Sequence, residues 1–260
     1  LRQAVVHDCD DFHPWPVTRI VEPRDKPAHG GLIVEVLIPW LPRLGSATLL
    51  TLGLFLLIAL LSGTTGLTMA LLEQSGGETS RKVLKWVFTL FSGFFRGIPE
   101  LVVLFACFLG LAQVGLELGP IQSAVLGFWL VGAAYDYQVF RGALNSVPRG
   151  QYEAGRALGL SPWQVLRCVV IPQMLRIALG PWATYATGAL KRMSIASAVS
   201  VSEIMYVTKQ GIAATGKPFE FIFLALVLLA GICSILLAIE VLVSRRMNFA
   251  RRVADAPVIA

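Results

Sequence analysis

Few residues of this chain carry charge, and those that do stand at informative spacings. Glu153 lies in the polar run Pro148-Arg149-Gly150-Gln151-Tyr152-Glu153-Ala154-Gly155-Arg156. A lone carboxylate there is either a solvated surface charge or one half of a pair with a cation on another protein. Arg96 and Glu100 stand four apart inside an apolar stretch, on one helical face if the helix survives Pro99. Ionisable groups inside a membrane span are costly and normally face protein or a water-filled cavity. The two groups therefore either lock their helix against its neighbours or set a negative potential beside a path for a cation. Asp136, five residues before Arg141, reads as a structural group at the end of an apolar run. Lys191 and Arg192 read as snorkelling or structurally paired cations, with an outer gate as the other role, and Glu203 is open between such roles. No catalytic constellation is legible. The phosphate-cradling Gly-x-x-x-x-Gly-Lys-Ser/Thr pattern does not occur, so ATP and its magnesium would be handled by another chain. His7, His13 and His29 precede the apolar runs, and Cys9, Cys107, Cys168 and Cys233 lack metal-ligand spacing. Neither a metal nor a cofactor is expected on this chain.

The elements that position these residues are apolar. Charged residues make up 15% of the chain, hydrophobic residues 55%, and the mean hydropathy is +0.69. Soluble domains carry about 25% charged residues, so too little polar surface is available here to cover a soluble fold. The net charge of +6 is spread beside the apolar runs, at Arg81, Lys82, Lys85, Arg141 to Arg176, and Arg245 to Arg252. That distribution fits loops on the cytoplasmic face of a membrane and not an aromatic-interleaved nucleic-acid patch.

A bilayer core about 30 Å thick needs roughly 20 apolar helical residues to cross it. Five runs qualify: Leu44 to Leu72, Trp86 to about Leu116 with an interruption at Arg96–Glu100, Leu118 to Leu144, Val169 to Leu190, and Phe221 to about Val243. Glycines 45, 53, 63 and 66 on the first allow close helix packing. Basic loops between the first and second, between the third and fourth, and after the fifth share one side. That places the N-terminus outside and the C-terminus in the cytoplasm. Ile195 to Ser202 is apolar but too short to span, and fits a re-entrant piece covered by protein or water. The chain then divides into a polar N-terminal arm over 1–43 (or sequence ahead of a misplaced start), a transmembrane domain over 44–245, and a basic cytoplasmic tail over 246–260.

Between the third and fourth runs, Tyr152 to Leu158 suits a short helix and Gly159 its C-terminal break. Ser161-Pro162 then supplies a second helix start with Ser as the cap. Two short helices projecting from the membrane make a protrusion able to enter a groove on a soluble partner. The run Glu153-Ala154-Gly155, then Gly159, then Val169-Val170-Ile171-Pro172 resembles the "EAA" loop of binding-protein-dependent ABC importer permeases. The departures from that pattern are Gly155 for the second Ala, Val169 for Ile and Ile171 for Leu; Gly155 slightly weakens the helix. Arg96-Gly97-Ile98-Pro99-Glu100, Phe140-Arg141-Gly142, and Leu190 to Ser197 are similar to the polar amino-acid branch, and Glu100 resembles the "Q" subunits of histidine, arginine and opine importers.

The resemblance covers about Leu44 to Arg252. It implies an all-α polytopic domain of about five spans with the type I ABC importer fold, in the bacterial inner membrane. It implies a coupling loop over 148–172, with Glu153, Ala154, Gly155, Gly159, Ser161 and Pro162 meeting the ATPase. Arg96, Pro99 and Glu100 fall near the substrate pathway. The implied partners are a second, different permease chain, a dimer of ATP-binding subunits, an extracytoplasmic solute-binding protein, an amino acid of cationic or polar type, and lipid. The rival readings are a stand-alone carrier driven by an ion gradient and a membrane scaffold that transports nothing.

Overall fold

The computed structural model describes residues 33–74 and 77–254, with side chains over 35–74 and 77–243, and every regular element among them is helical. A short α1 (Ile33–Leu37) and a 3-10 turn (Ile38–Trp40) lead into the long α2 (Leu41–Gln74). Then come α3 (Glu78–Gly97), α4 (Glu100–Phe105), a π turn (Ala106–Gly110), α5 (Leu111–Gln113) and α6 (Pro120–Asn145). The protrusion holds α7 (Arg149–Ala157) and α8 (Pro162–Gln164). A π segment (Val165–Val170) joins α8 to α9 (Ile171–Arg192), and a 3-10 stretch (Met193–Val199) follows. The described residues close with α10 (Ile204–Thr215) and α11 (Pro218–Ala254).

Among the described residues, three helical stretches are long and apolar enough to cross a membrane: Glu35–Gln74, Pro162–Val199 and Pro218–Val243. A fourth forms if Glu78–Gly97 and Glu100–Gln113 count as one span, broken by a bend of 100°. The remaining expected span, α6, is long enough at 26 residues, about 39 Å at 1.5 Å per residue. Its composition differs because it lies inside the bundle, packed on α2, α3, α4 and α9. Small residues there, including Gly127, Gly132, Ala133 and Ala134, are buried. A helix wrapped in other helices needs close approach more than greasiness. By contrast, only 11% of the apolar window of α11 is buried within the chain, leaving a face that lipid or another apolar surface must cover.

The centre of the bundle is the crossing of α2 with α6. A Cβ on Gly66 would stand 2.6 Å from the Tyr137 backbone nitrogen, and one on Gly132 would stand 2.7 Å from Ser62 Cβ. Small residues four apart on both helices, Ser62/Gly66 and Gly132/Asp136, thus set the contact. Of the four glycines expected to permit packing, Gly66 is needed and Gly63 is in ordinary contact with Trp182. Gly45 and Gly53 meet nothing within 4 Å.

Several expectations shift. The first helix starts well before Leu44, and Trp40 stands edge-on to Phe221 at 5.5 Å. The stretch read as a polar arm therefore enters the fold from Ile33; residues 1–32 lie outside the described part. The basic tail continues α11 as far as Ala254. The fourth span starts at Pro162, seven residues earlier than expected, since Pro172 and Pro181 are absorbed. Proline cannot donate to the preceding turn, and a π segment stands immediately before Pro172. Ile195 to Ser202 packs into the protein, with Ala196, Val199 and Val201 in the same core as Phe55 and Leu104. The turn closes at Ser200, whose φ is +64°. Glu203 then caps α10, its carboxylate accepting the N–H groups of Met205 and Tyr206 at 2.9 and 2.8 Å.

Candidate functional site

Two places combine chemistry with geometry. The first is the protrusion. Helix α7 ends where Gly159 takes a φ of +78°. Leu160 N–H reaches back to the Gly155 carbonyl at 3.1 Å and Gly159 N–H to that of Arg156 at 2.9 Å, a Schellman closure. Ser161 and Gln164 then form a capping box, the Ser hydroxyl accepting Gln164 N–H and the Gln164 side chain accepting Ser161 N–H. Gly155 is more than a loose point in the helix: it is buried, and a Cβ there would come within 2.9 Å of Val165 Cγ2. Its lack of a side chain lets α7 lie down on the π segment.

The rest of the protrusion faces outward. Glu153, Ala154, Gly159, Ser161 and Pro162 are exposed. Leu158 is 81% exposed and Trp163 60%, apolar groups that sequence reasoning had not singled out. Tyr152 is half-buried against the membrane-proximal core, and burial pushes its phenol up while Arg81 opposes the shift.

The second place is a small cavity between α2, α4, α6 and α9, about 30 Å³ in volume. Ser62, Glu100, Asp136, Tyr185 and Arg192 supply its polar lining, with Phe128 and Trp182 among the apolar groups. A water needs at least about 10–15 Å³ of such space, so the cavity has room for about two or three waters and is too small for an organic solute in this conformation.

Here two expectations are corrected. Arg96 and Glu100 do not pair: the chain is extended at Ile98 and Pro99, and α4 restarts at 100° to α3. Pro99 thus breaks the helix that would have kept them on one face. Arg96 lies over the Tyr135 ring, 5.1 Å from its centroid, while Glu100 turns to Arg192, with Oε1 2.7 Å from Nε. The second correction is Asp136, which is not a group at the helix end. It sits nine residues inside α6, about 14 Å from its last residue, and is 1% exposed. Ser62 donates to its Oδ2 at 2.6 Å. Arg141, the expected neighbour, pairs instead with Glu73 at 3.3 Å.

Arg192 is the group the sequence left undecided, and its setting is specific. Its guanidinium lies 5.1 Å from the centre of the Tyr185 ring, and Tyr185 stacks on Tyr135 at 4.8 Å, beneath Arg96. A ladder Arg96–Tyr135–Tyr185–Arg192 therefore links α3, α6 and α9, and Glu100 of α4 closes it. Three buried side-chain atoms among the described residues have no hydrogen-bond partner within the chain: Glu100 Oε2, Asp136 Oδ1 and Arg192 Nε. The Arg192–Glu100 contact is close enough for an ion pair but misaligned for a hydrogen bond. All three residues line the same cavity. Unsatisfied buried polar atoms are costly and rare, and their convergence marks a place built for something polar. Among the described residues, no group of three His, Cys, Asp or Glu side chains converges to hold a metal ion.

The chain resembles known proteins along most of its length. The family model for the binding-protein-dependent transport system inner membrane component matches residues 62–249. The probable amino-acid ABC transporter permease protein YckA of Bacillus subtilis is 34% identical over 186 residues, 70% of this chain and 81% of that protein. The histidine/lysine/arginine/ornithine transport system permease protein HisM of Escherichia coli K12 is 30% identical over 200 residues, covering 73% and 82%. Among solved structures, that of an amino acid ABC transporter with histidines superposes with a TM-score of 0.73 at 24% identity, over 81% of this chain and 96% of that one. The inward-facing MetNI methionine ABC transporter gives 0.69 at 21% identity, over 80% and 98%. These superpositions establish the type I importer fold. From the family match and the relatives alike, the chain belongs to the family of inner-membrane permease components of binding-protein-dependent transport systems.

Proposed function

We propose that this chain is a permease subunit of an ATP-driven importer of cationic amino acids in the bacterial inner membrane. One observation carries the coupling part of that reading. The helical path from Pro162 at the protrusion runs without a break to Arg192 at the cavity wall. Trp163 and Tyr185 are 22 positions apart on it, roughly 33 Å of continuous helix. A displacement imposed at the protrusion is thus delivered to Trp182, Tyr185 and Arg192. Exposed Leu158 and Trp163, on the same protrusion as Glu153, suit an apolar anchor and a charge pair in a cleft of a separate ATP-binding subunit, which would hold ATP and magnesium. An aromatic anchor and a desolvated charge are the features that dominate such interfaces.

The substrate class follows from the cavity. Its walls carry two carboxyl groups, Asp136 and Glu100, against one guanidinium, Arg192, and two of the three unpartnered atoms are acceptors. That surplus suits an ammonium or guanidinium group. The histidine, lysine, arginine and ornithine named for the HisM relative include such cations. In this reading the pathway residues are Glu100, Asp136 and Arg192, with Pro99 and Arg96 shaping the break above them. The partners are a second permease chain, the ATP-binding subunits and a solute-binding protein, and the C-terminus is cytoplasmic. Membership of a binding-protein-dependent family leaves the stand-alone carrier without support. The test is ATP-driven uptake in proteoliposomes holding the assembled importer. Glu153→Lys is expected to lower uptake at least tenfold while assembly of the two permease chains persists; uptake within twofold of the parent would remove the docking role.

A further inference from the structure

The cavity and a second space share one ion pair in their walls. On the far side of Glu100 and Arg192 lies an open pocket of about 350 Å³, lined by Arg96, Pro99, Tyr135 and Ile195 together with the same Glu100 and Arg192. The smaller cavity with Asp136 lies on the near side. Arg192 reaches this position by lying back along its own helix. A Cβ on Gly188, one turn earlier, would stand 3.0 Å from Arg192 Nη1, so bare backbone at Gly188 gives the side chain its track. The guanidinium is flanked by an aromatic face and a carboxylate, as a bound arginine or lysine side chain would be.

We propose that Arg192 is a tethered surrogate for the cationic substrate: it fills the Glu100–Tyr185 seat when substrate is absent and is displaced by it, so that the pair is both latch and selectivity filter. This rests on the cavity being the substrate site. Three observations support displacement over a permanent structural lock. The Arg192 Nε is not aligned for a hydrogen bond to Glu100 despite the 2.7 Å separation, so charge attraction more than a well-aligned bond holds the pair. The Arg192 side chain keeps 34% of its surface exposed, against 14% for Glu100. The open pocket beside it provides room for the displaced arm, and α9 gives way to a 3-10 stretch directly after Arg192. A neutral solute has nothing to offer Glu100 in exchange for Arg192 and leaves the latch shut.

Occupation of a seat by an internal competitor lowers apparent affinity by the fraction of time the seat is free. A latch closed about nine-tenths of the time costs roughly tenfold. The experiment is equilibrium binding of L-arginine and its neutral near-isostere L-citrulline to the assembled importer in lipid nanodiscs, without the binding protein. Arg192→Gln is expected to tighten arginine binding about tenfold; citrulline gains up to the same factor but, with no charge to offer Glu100, stays the weaker ligand. Arg192→Lys, a point charge that stacks less well, should fall between. The double variant Glu100→Gln with Arg192→Gln, which strands no buried charge, should lose the gain; if Arg192→Gln alone fails to assemble, Arg192→Lys carries the test. Arginine binding that is unchanged or weaker in Arg192→Gln and Arg192→Lys, with the parent binding intact, overturns the surrogate and leaves the cavity reading standing. A Glu100→Gln importer that binds and takes up arginine like the parent overturns both.

Discussion

Substituting Gly66 by alanine tests whether the α2–α6 crossing governs the cavity. The added Cβ would stand 2.6 Å from both Asp136 Cβ and the Tyr137 nitrogen, and 2.7 Å from the Asp136 carbonyl carbon. Two of these three are backbone atoms, so relief requires the helices to part by roughly 1 Å toward ordinary contact near 3.5–4 Å. Overpacking of this kind costs about 1–3 kcal/mol. One turn away, Ser62 donates to Asp136 at 2.6 Å, and a 1 Å separation takes that bond past its useful range. Leaving a buried carboxyl without its donor adds about 1–3 kcal/mol. The better helix propensity of alanine returns about 1 kcal/mol, so the net loss is roughly 1–5 kcal/mol. Gly63→Ala, on the same helix, is the control: its Cβ meets the Trp182 ring at 3.6 Å, ordinary contact, and keeps the propensity gain. Thermal unfolding of the assembled importer in detergent, followed by loss of the monodisperse peak, should show Gly66→Ala several degrees below the parent and Gly63→Ala at or above it. Equal midpoints for the two variants would refute the reasoning, because only the clash distinguishes them.

Two further outcomes follow from the same geometry. Glu203→Ala leaves the first amides of α10 without acceptors in a site 1% exposed, a loss of about 1–3 kcal/mol readable in the same thermal assay; Glu203→Gln retains an acceptor and should recover at least half of it. At Gly155, alanine exchanges about 1 kcal/mol of helix propensity against a 2.9 Å contact with a Val165 methyl. Gly155→Ala should therefore keep near-parental uptake, whereas Gly155→Leu should lift α7 off its seat and lower uptake and substrate-stimulated ATP hydrolysis together.

The chemistry of the protrusion was legible in sequence because its signals are local. A helix that stops at a glycine, a Ser cap three residues before Gln164 and a polar run between apolar ones need no tertiary partner to be recognised. The same holds for the apolar lengths of the first and last spans. The exposed Leu158 and Trp163 could have been noticed, since a large apolar residue inside a polar loop is itself a signal, but only the structure shows them uncovered.

The cavity could not be read this way, and the reason is geometric. Glu100, Asp136 and Arg192 are separated by 36 and 56 positions, and sequence spacing reports neighbours only within one helix. The spacing of Arg96 and Glu100 was a true helical signal made false by a backbone break at Pro99, whose 100° angle no local pattern specifies. Asp136 looked terminal because the apolar run stops there, yet α6 continues for nine residues, since a helix surrounded by helices can carry polar groups without ending. Sequence by itself determined the fold class, the membrane setting and the helix–glycine–helix form of the protrusion, all products of local periodicity, capping and composition. Tertiary structure alone decided which charges meet, because a pairing across α2, α4, α6 and α9 is set by how closely glycines let those helices approach.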